Sequence, residues 1–360
     1  MSDKLRLHWV DAAKGISILL VVMMYSAYSV GEETGGVGFM HYIIAFATPF
    51  RMPEFFLISG LFLSQVIDRK WTGYADRRVV HYLYFYALWA FIHITFKVAI
   101  VAGDPVGALS QMAMAIVEPY GVLWFIYVLA MVSAAAKLLA SLKVPHWVGL
   151  AGAAALQIAP IATGSYAINQ FAEFFVFFYA GYVFAPMIFK FVASAMQAPL
   201  YAIGFLALWA IGNGILVFSP GYQMLPDHME MGLGGLPGLR LALALVGSIA
   251  LCTAAGLLSK LPSMKWLNWI GGHSIVIYLA FALPMSILRV ISLKLGIITD
   301  PGLLSLVILI AATILPIVLY AMIQWTGWGK FLFERPAWAH IPGTRGSRKP
   351  ETDPQRVPAE

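Results

Sequence analysis

Long apolar stretches alternate along this chain with short polar ones, and the apolar stretches have the length of a bilayer. A helix rises 1.5 Å per residue, so about 20 apolar residues cross a hydrocarbon core of roughly 30 Å. Ten stretches reach or approach that length: residues 15–30, 53–67, 79–102, 121–140, 147–163, 168–189, 199–218, 239–258, 274–291 and 302–324. The second is short, and the apolar residues 39–50 before it either extend the span or lie along the interface. The pattern predicts an all-α polytopic membrane helical bundle of about ten transmembrane helices.

The polar segments add an orientation. Lys and Arg gather in alternate loops: Lys4 and Arg6, then Arg69, Lys70, Arg77 and Arg78, then Lys137 and Lys143, Lys190, and Lys260 with Lys265. The C-terminal residues Lys330, Arg335, Arg345, Arg348, Lys349 and Arg356 continue the series, and the opposite loops hold only Arg240 and Lys294. The positive-inside rule then places both termini in the cytoplasm. The first 30 residues look like a signal peptide, but Asp11 and Lys14 interrupt the pattern, and a retained first span is expected. Residues 1–340 read as one membrane domain, and the polar, Pro-rich 341–360 as a disordered cytoplasmic tail.

Composition agrees with this class. The chain is 61% hydrophobic and 11% charged, whereas soluble domains are about one-quarter charged. The net charge of +6 follows from topology and from contact with anionic membrane lipid rather than from a nucleic-acid partner. A single cysteine, Cys252, excludes an internal disulfide and a multi-thiolate metal site. Asp227, His228 and Glu230 read as a solvated loop, and no metal is expected.

Candidate chemistry starts from Arg51-Met52-Pro53-Glu54, two opposite charges inside an apolar run. Charges at membrane depth face a cavity or a partner. Pro53 predicts a break near Met52, with a helix restarting at Pro53 and Arg51 close enough to Glu54 to pair. The pair forms either a structural tie or the polar floor of a pocket. In the first span Lys14 and Tyr25 share one helix face, about 16 Å apart along the axis, with Asp11 one turn below Lys14. That face either lines a path inward from the cytoplasm or holds an Asp11–Lys14 surface pair under a packed Tyr25. Glu173, set among phenylalanines, is expected to pair with Lys97 or Arg51 or to face the pocket. Gly60, beside Ser59, is expected to permit close helix packing.

Several of these residues fall into an ordered set. Asp11-x-x-Lys14-Gly15-Ile16 with Val21-Val22, Phe50-Arg51-Met52-Pro53 with Phe55-Phe56-Leu57-Ile58-Ser59-Gly60, Leu123-Trp124-Phe125 with Tyr127, and Ser274-x-x-x-Tyr278-Leu279 resemble the integral-membrane acyltransferase family. That family includes polysaccharide O-acetyltransferases and periplasmic-glucan succinyltransferases. The resemblance runs from about residue 8 to about 325. It implies a multi-pass protein of the bacterial inner membrane that moves an acyl group from acyl-CoA to a hydroxyl of a glycan or lipid-linked acceptor. It also implies that Arg69, Arg77 and Arg78 meet the CoA phosphates. Asp11, Arg51, Glu54, Glu173 and Trp124 are the expected substrate-binding residues.

The departures bear on the mechanism. Where the family's first span carries an arginine and, eleven residues on, a histidine, this chain has Lys14 and Tyr25. The histidine that often ends the penultimate-span motif is Phe281 here. A phenol, with a pKa near 10, is a poor base at neutral pH but an adequate hydrogen-bond donor to a thioester carbonyl. His93, with Lys97 four residues on, is the candidate substitute base; Tyr25, Lys14 and His93 are thus the expected catalytic set. Two other readings stay open: a transporter or flippase using Glu173, His93 and Lys97 as a proton relay, and a non-catalytic descendant of the same fold.

Overall fold

The computed structural model describes residues 8–347. All ten apolar runs are helical in it. Six helices or continuous helical stretches are long and apolar enough to cross a bilayer: α1 (His8–Thr34), Trp71–Val101, Gly121–Ser141, Pro199–Val217, Pro237–Leu258 and Pro301–Thr326. Two more spans arise if each of two bent pairs counts as one. Against the ten expected, six to eight pass by length and composition among the described residues, and the helices from runs 53–67 and 147–163, with 11 and 13 residues, fall short of that length.

In chain order α1 is followed by α2 (Phe39–Ala47), α3 (Arg51–Leu61) and α4 (Trp71–Ala75). The last runs without interruption through a π-helical turn, Asp76–Val80, into α5 (His81–Ile94) and a second π-helical stretch, Thr95–Val101. Next come α6 (Pro105–Met114), α7 (Trp124–Ser141), α8 (His146–Ile158), α9 (Tyr166–Val183), α10 (Ala185–Gln197) and α11 (Pro199–Val217). The chain ends with α12 (Pro237–Leu258), α13 (Lys265–Gly272), α14 (Ser274–Ala280), α15 (Ala282–Leu295), α16 (Pro301–Thr326) and short 3-10 turns.

Prolines account for the bends. Pro186 enters the first turn of α10, where its missing N–H and its ring end α9, and the pair turns by 75°. Pro284, in the first turn of α15, accompanies the 53° bend from α14. The break before α3 lies at Thr48–Phe50 rather than at Met52. Pro53 is tolerated in the first turn because its N–H would have no acceptor inside the helix. The first amide to find one is that of Glu54, on the Phe50 carbonyl at 3.0 Å.

The chain divides into two compact units. One comprises residues 8–64 and Lys143–Trp325; the other comprises Gln65–Leu142 and 326–347. In the first, glycines allow backbones to touch. A Cβ on Gly60 would overlap the Phe178 carbonyl, and one on Gly181 would overlap the Leu57 carbonyl, so α3 and α9 pack through each other's glycine. The role expected of Gly60 is therefore observed. Gly15 and Gly271 join α1 to α13 in the same manner. The core between these contacts includes Trp9, Phe50, Leu57, Ile58, Leu251 and Leu267. The loop at 219–238 contains a short antiparallel hairpin, Gln223–Met224 with Met229–Glu230, on which Asp227, His228 and Glu230 are exposed as expected.

In the second unit side chains bond to distant carbonyls. Tyr74 donates to Ser133 at 2.6 Å, Tyr86 to Ala115 at 2.6 Å, and Trp89 to Leu332 at 2.9 Å. Lys137 is buried and donates to the carbonyls of Ile67 and Arg69. The tail expected to be disordered is structured as far as it is described. Ile341–Ser347 forms turns tied to Asp76, and 348–360 lie outside the described residues, as do Lys4 and Arg6.

Candidate functional site

In the first unit α1 and α3 bring buried polar groups together. Glu54 is fully buried and does not pair with Arg51. One of its oxygens, Oε2, accepts the hydroxyl of Ser17, which is equally buried one turn from Lys14 on α1. The other, Oε1, has no hydrogen-bond partner, and Lys14 is within electrostatic reach. The expected Arg51–Glu54 pair does not form, although residues three apart on a helix can meet. With the helix starting at Arg51, the two side chains lead to different levels of α1: Glu54 toward Ser17 and Lys14, Arg51 toward Tyr25 and Tyr28.

Arg51 itself is 9% exposed, and its Nε and Nη1 have no hydrogen-bond partner. It occupies the first position of α3, where the helix dipole adds positive potential and the first amides have no acceptor within the helix. Buried donors are almost always satisfied, so this spot suits an oxygen carrying negative charge. Tyr25, like Tyr28, is within electrostatic reach of Arg51, and it packs on Phe281 with ring centroids 5.5 Å apart. The two positions at which the family resemblance leads one to expect histidines are thus in contact, and both are aromatic.

His41 is spoken for structurally. Its Nδ1 accepts the Gly38 N–H at 3.2 Å, and its Nε2 lies 3.0 Å from the Pro226 carbonyl at the hairpin tip. Both ring nitrogens are engaged, and the imidazole pins α2 to the hairpin. Beyond it, Asp227 pairs with His228 at 2.9 Å in the open, and that hydrogen bond holds its carboxyl below the usual range. Among the described residues no three His, Cys, Asp or Glu side chains converge to hold a metal.

Glu173 on α9 forms an ion pair with Arg240 on α12, not with Lys97 or Arg51. Sequence reasoning missed this because Arg240 is 67 residues away and reads as a loop cation. Next along the same two helices, Val176 and Leu241 line an apolar cavity of about 670 Å³ that also includes Leu57, Leu150, Phe184 and Ile249. Arg289, whose position suggests a lone cation near the outer end of its span, pairs with Glu33 at 3.3 Å.

His93 belongs to the second unit, where it is buried edge-on against Trp89 with centroids 5.9 Å apart. Tyr25 and Lys14 belong to the first, so the expected catalytic trio is distributed over both units. Trp124 opens α7, also in the second unit, and is buried. Asp11 lies on α1 where its carbonyl meets Gly271.

Arg69, Arg77 and Arg78 do come together. They line a cavity of about 870 Å³ in the second unit with Lys70, Arg335, His81 and His340. Among the described residues Asp76 is the one acid in the lining. Arg77, Arg78 and Asp76 stand on the π-helical turn, a deviation often found at functional sites. Arg335, His340 and Lys70 were not singled out as site residues from the sequence. A positive loop followed 250 residues later by a positive tail reads as topology, and only the fold brings the two together.

A family model described as an acyltransferase domain matches residues 7–321 of the chain. Comparison with curated proteins and with solved structures gives no match.

Proposed function

We propose that this chain, which belongs to the membrane acyltransferase family, transfers an acyl group from acyl-CoA to an acceptor hydroxyl. The observation that carries the reading is the buried Arg51 with two unsatisfied guanidinium nitrogens, one helical turn from a buried carboxylate with a free oxygen. An oxyanion forms when a hydroxyl adds to a thioester. Arg51 and the start of α3 are preorganised to hold it, and such donors act most strongly where water is excluded. Tyr25 supplies a further hydroxyl within electrostatic reach of Arg51.

In this scheme the acceptor oxygen attacks the thioester carbonyl carbon while Glu54 Oε1 takes the hydroxyl proton. The tetrahedral intermediate collapses, the carbon–sulfur bond breaks, and the proton passes to the departing thiolate to give free CoA and the acyl ester. Ser17 fixes the carboxylate through Oε2, and Lys14 balances its charge. Glu54 thereby takes the role first expected of His93.

The donor's phosphates suit the basic cavity of Arg69, Lys70, Arg77 and Arg78, since phosphate recognition favours clustered guanidinium groups. A lipid-linked acceptor fits better than a free glycan, because the apolar cavity beside the Glu173–Arg240 pair offers a place for a chain next to a polar group. The asymmetry of Lys and Arg supports an orientation with the donor side cytoplasmic, and the bacterial inner membrane is the location that the family resemblance implies.

The test uses purified full-length protein and a radiolabelled acyl-CoA, with lipid-linked and free glycans as acceptors. Release of CoA with label transferred to an acceptor is expected. Glu54→Gln is expected to lower turnover at least 100-fold, on the order of what general-base catalysis supplies, while CoA affinity stays at the wild-type value. Wild-type protein that consumes no acyl-CoA with any acceptor, or a Glu54→Gln variant of full activity, would count against the scheme.

A further inference from the structure

One wall of the basic cavity lies outside the acyltransferase-domain match. The match ends at residue 321, whereas Arg335, His340, Gly343, Thr344 and Gly346 come from the segment that follows. Three residues of that segment, Arg335, His340 and Ile341, converge on one residue, Asp76. Arg335 donates from Nη2 to Asp76 Oδ2 at 2.8 Å and from Nη1 to the Asp76 carbonyl at 2.7 Å. The Ile341 N–H donates to Asp76 Oδ1 at 2.8 Å, and His340 Nδ1 lies 2.9 Å from Oδ2. Both carboxylate oxygens and the carbonyl of Asp76 are therefore engaged by residues 335–341.

The clamp is dry. Asp76 is 6% exposed and the Arg335 side chain 3%. Charge-assisted bonds in such surroundings are strong and directional, and removing one partner leaves the other charge buried and unpaired. Gly346 lies flat against the clamp, where a Cβ would overlap the His340 ring. Arg335 neutralises Asp76, and among the described residues no other acid lines the concavity in which Arg69, Lys70, Arg77 and Arg78 gather. A cavity of about 870 Å³ has the capacity of a nucleotide-sized site. Four cations call for several phosphates, more than a typical lipid headgroup carries.

We propose that residues 330–347, clamped to Asp76 through Arg335, form the closing wall of a site for the phosphates of a nucleotide. On the acyl-CoA reading given above, on which this rests, that nucleotide is the phosphoadenosine end of the donor. Arg335 is a positioning residue. Its donors are committed to Asp76 and His340, so it shapes the cavity and leaves phosphate contact to the arginines of the π-helical turn and the preceding loop. Donor binding in this protein therefore depends on a segment that the family domain does not include.

The experiment measures binding of CoA and of 3′,5′-ADP to the full-length protein in neutral detergent, together with hydrogen exchange and turnover. CoA is expected to protect the amides of residues 337–347 in the unmodified protein. Arg335→Gln and Gly346→Val are each expected to weaken both ligands by about 10-fold or more, the scale of a lost charge-assisted contact. Arg335→Lys should recover part of that loss. In turnover, donor KM should rise while kcat and acceptor KM stay unchanged, which a merely destabilised protein would not show.

The proposal is overturned if CoA binds the wild type, neither variant changes its affinity, and exchange at 337–347 is unaffected; acyl-CoA as donor then still stands. It is also overturned if nanodiscs of phosphatidylglycerol abolish 3′,5′-ADP binding and themselves protect 337–347, since the cavity is then a headgroup site. If the wild type neither binds CoA nor consumes acyl-CoA, the donor reading itself fails. The exchange measurement needs no variant, so a variant that does not fold still leaves a decisive result.

Discussion

In the proposed scheme Arg51 concentrates the chemistry because it is buried, charged and without partners at Nε and Nη1. If it holds the oxyanion, Arg51→Gln should slow transfer by about 100- to 1,000-fold, the usual cost of removing one such donor. CoA affinity should not change, because the loss belongs to the transition state; single-turnover kinetics alongside equilibrium binding would separate the two. Transfer at the wild-type rate would remove Arg51 from the mechanism. Tyr25 has a smaller role, since its ring packs on Phe281 while its hydroxyl is within electrostatic reach of Arg51. Tyr25→Phe keeps the packing and removes the hydroxyl, and a loss of roughly 10-fold in kcat is expected for one neutral hydrogen bond. Unchanged kcat would leave Tyr25 a packing residue. At this scale the sequence was informative where a residue broke a pattern: Arg51, Glu54 and Glu173 stand out as charges among apolar neighbours. Their partners were not legible. Ser17 is a small residue in an apolar span, and Arg240 is a charge that topology alone explains.

Elements were legible in their existence and less so in their ends. A hydropathy window recognises ten apolar runs, and all ten are helical. The same window averages across the Pro186 and Pro284 bends, and it cannot tell an 11-residue helix from a full span when apolar residues flank it. The start of α3 was misplaced by a few residues, and the ion pair predicted from it does not form, because Glu54 is engaged by Ser17 instead. The glycine contacts, by contrast, follow from residue type: only glycine permits backbones to touch. Because α3 carries both Arg51 and Glu54 and its position depends on the reciprocal Gly60–Gly181 contact with α9, Gly60→Leu is expected to cost about 1–3 kcal/mol of stability, the range for overpacking a tight interface. It should also lower kcat by moving the site. A thermal unfolding midpoint in detergent, read beside kcat, checks both. A Gly60→Leu protein with unchanged midpoint and turnover would show that α3 is not held in this way.

For the molecule as a whole, basic charge was read as orientation. Its concentration in one cavity of the second unit gives part of it a second use that composition could not disclose, since Arg335 and His340 reach Asp76 only through the fold. The first unit holds the unsatisfied Arg51 and Glu54, and the second holds the phosphate-sized basic site. That distribution implies a division of labour that kinetics can resolve. Replacing Arg77 and Arg78 together by Gln should raise the donor KM and weaken CoA binding, and it should flatten the salt dependence of that binding because screened charges are lost. kcat at saturating donor should stay within about twofold of wild type, as expected when ground-state and transition-state binding are lost equally. Glu54→Gln should do the reverse, lowering kcat with CoA affinity intact. Combined in one protein, the two changes in ln(kcat/KM) should add, since groups that share no partner act independently. A strong departure from additivity, or a loss of kcat from the double arginine replacement as large as that from Glu54→Gln, would mean that the arginines act in the chemical step and that binding and chemistry are not divided between the two units.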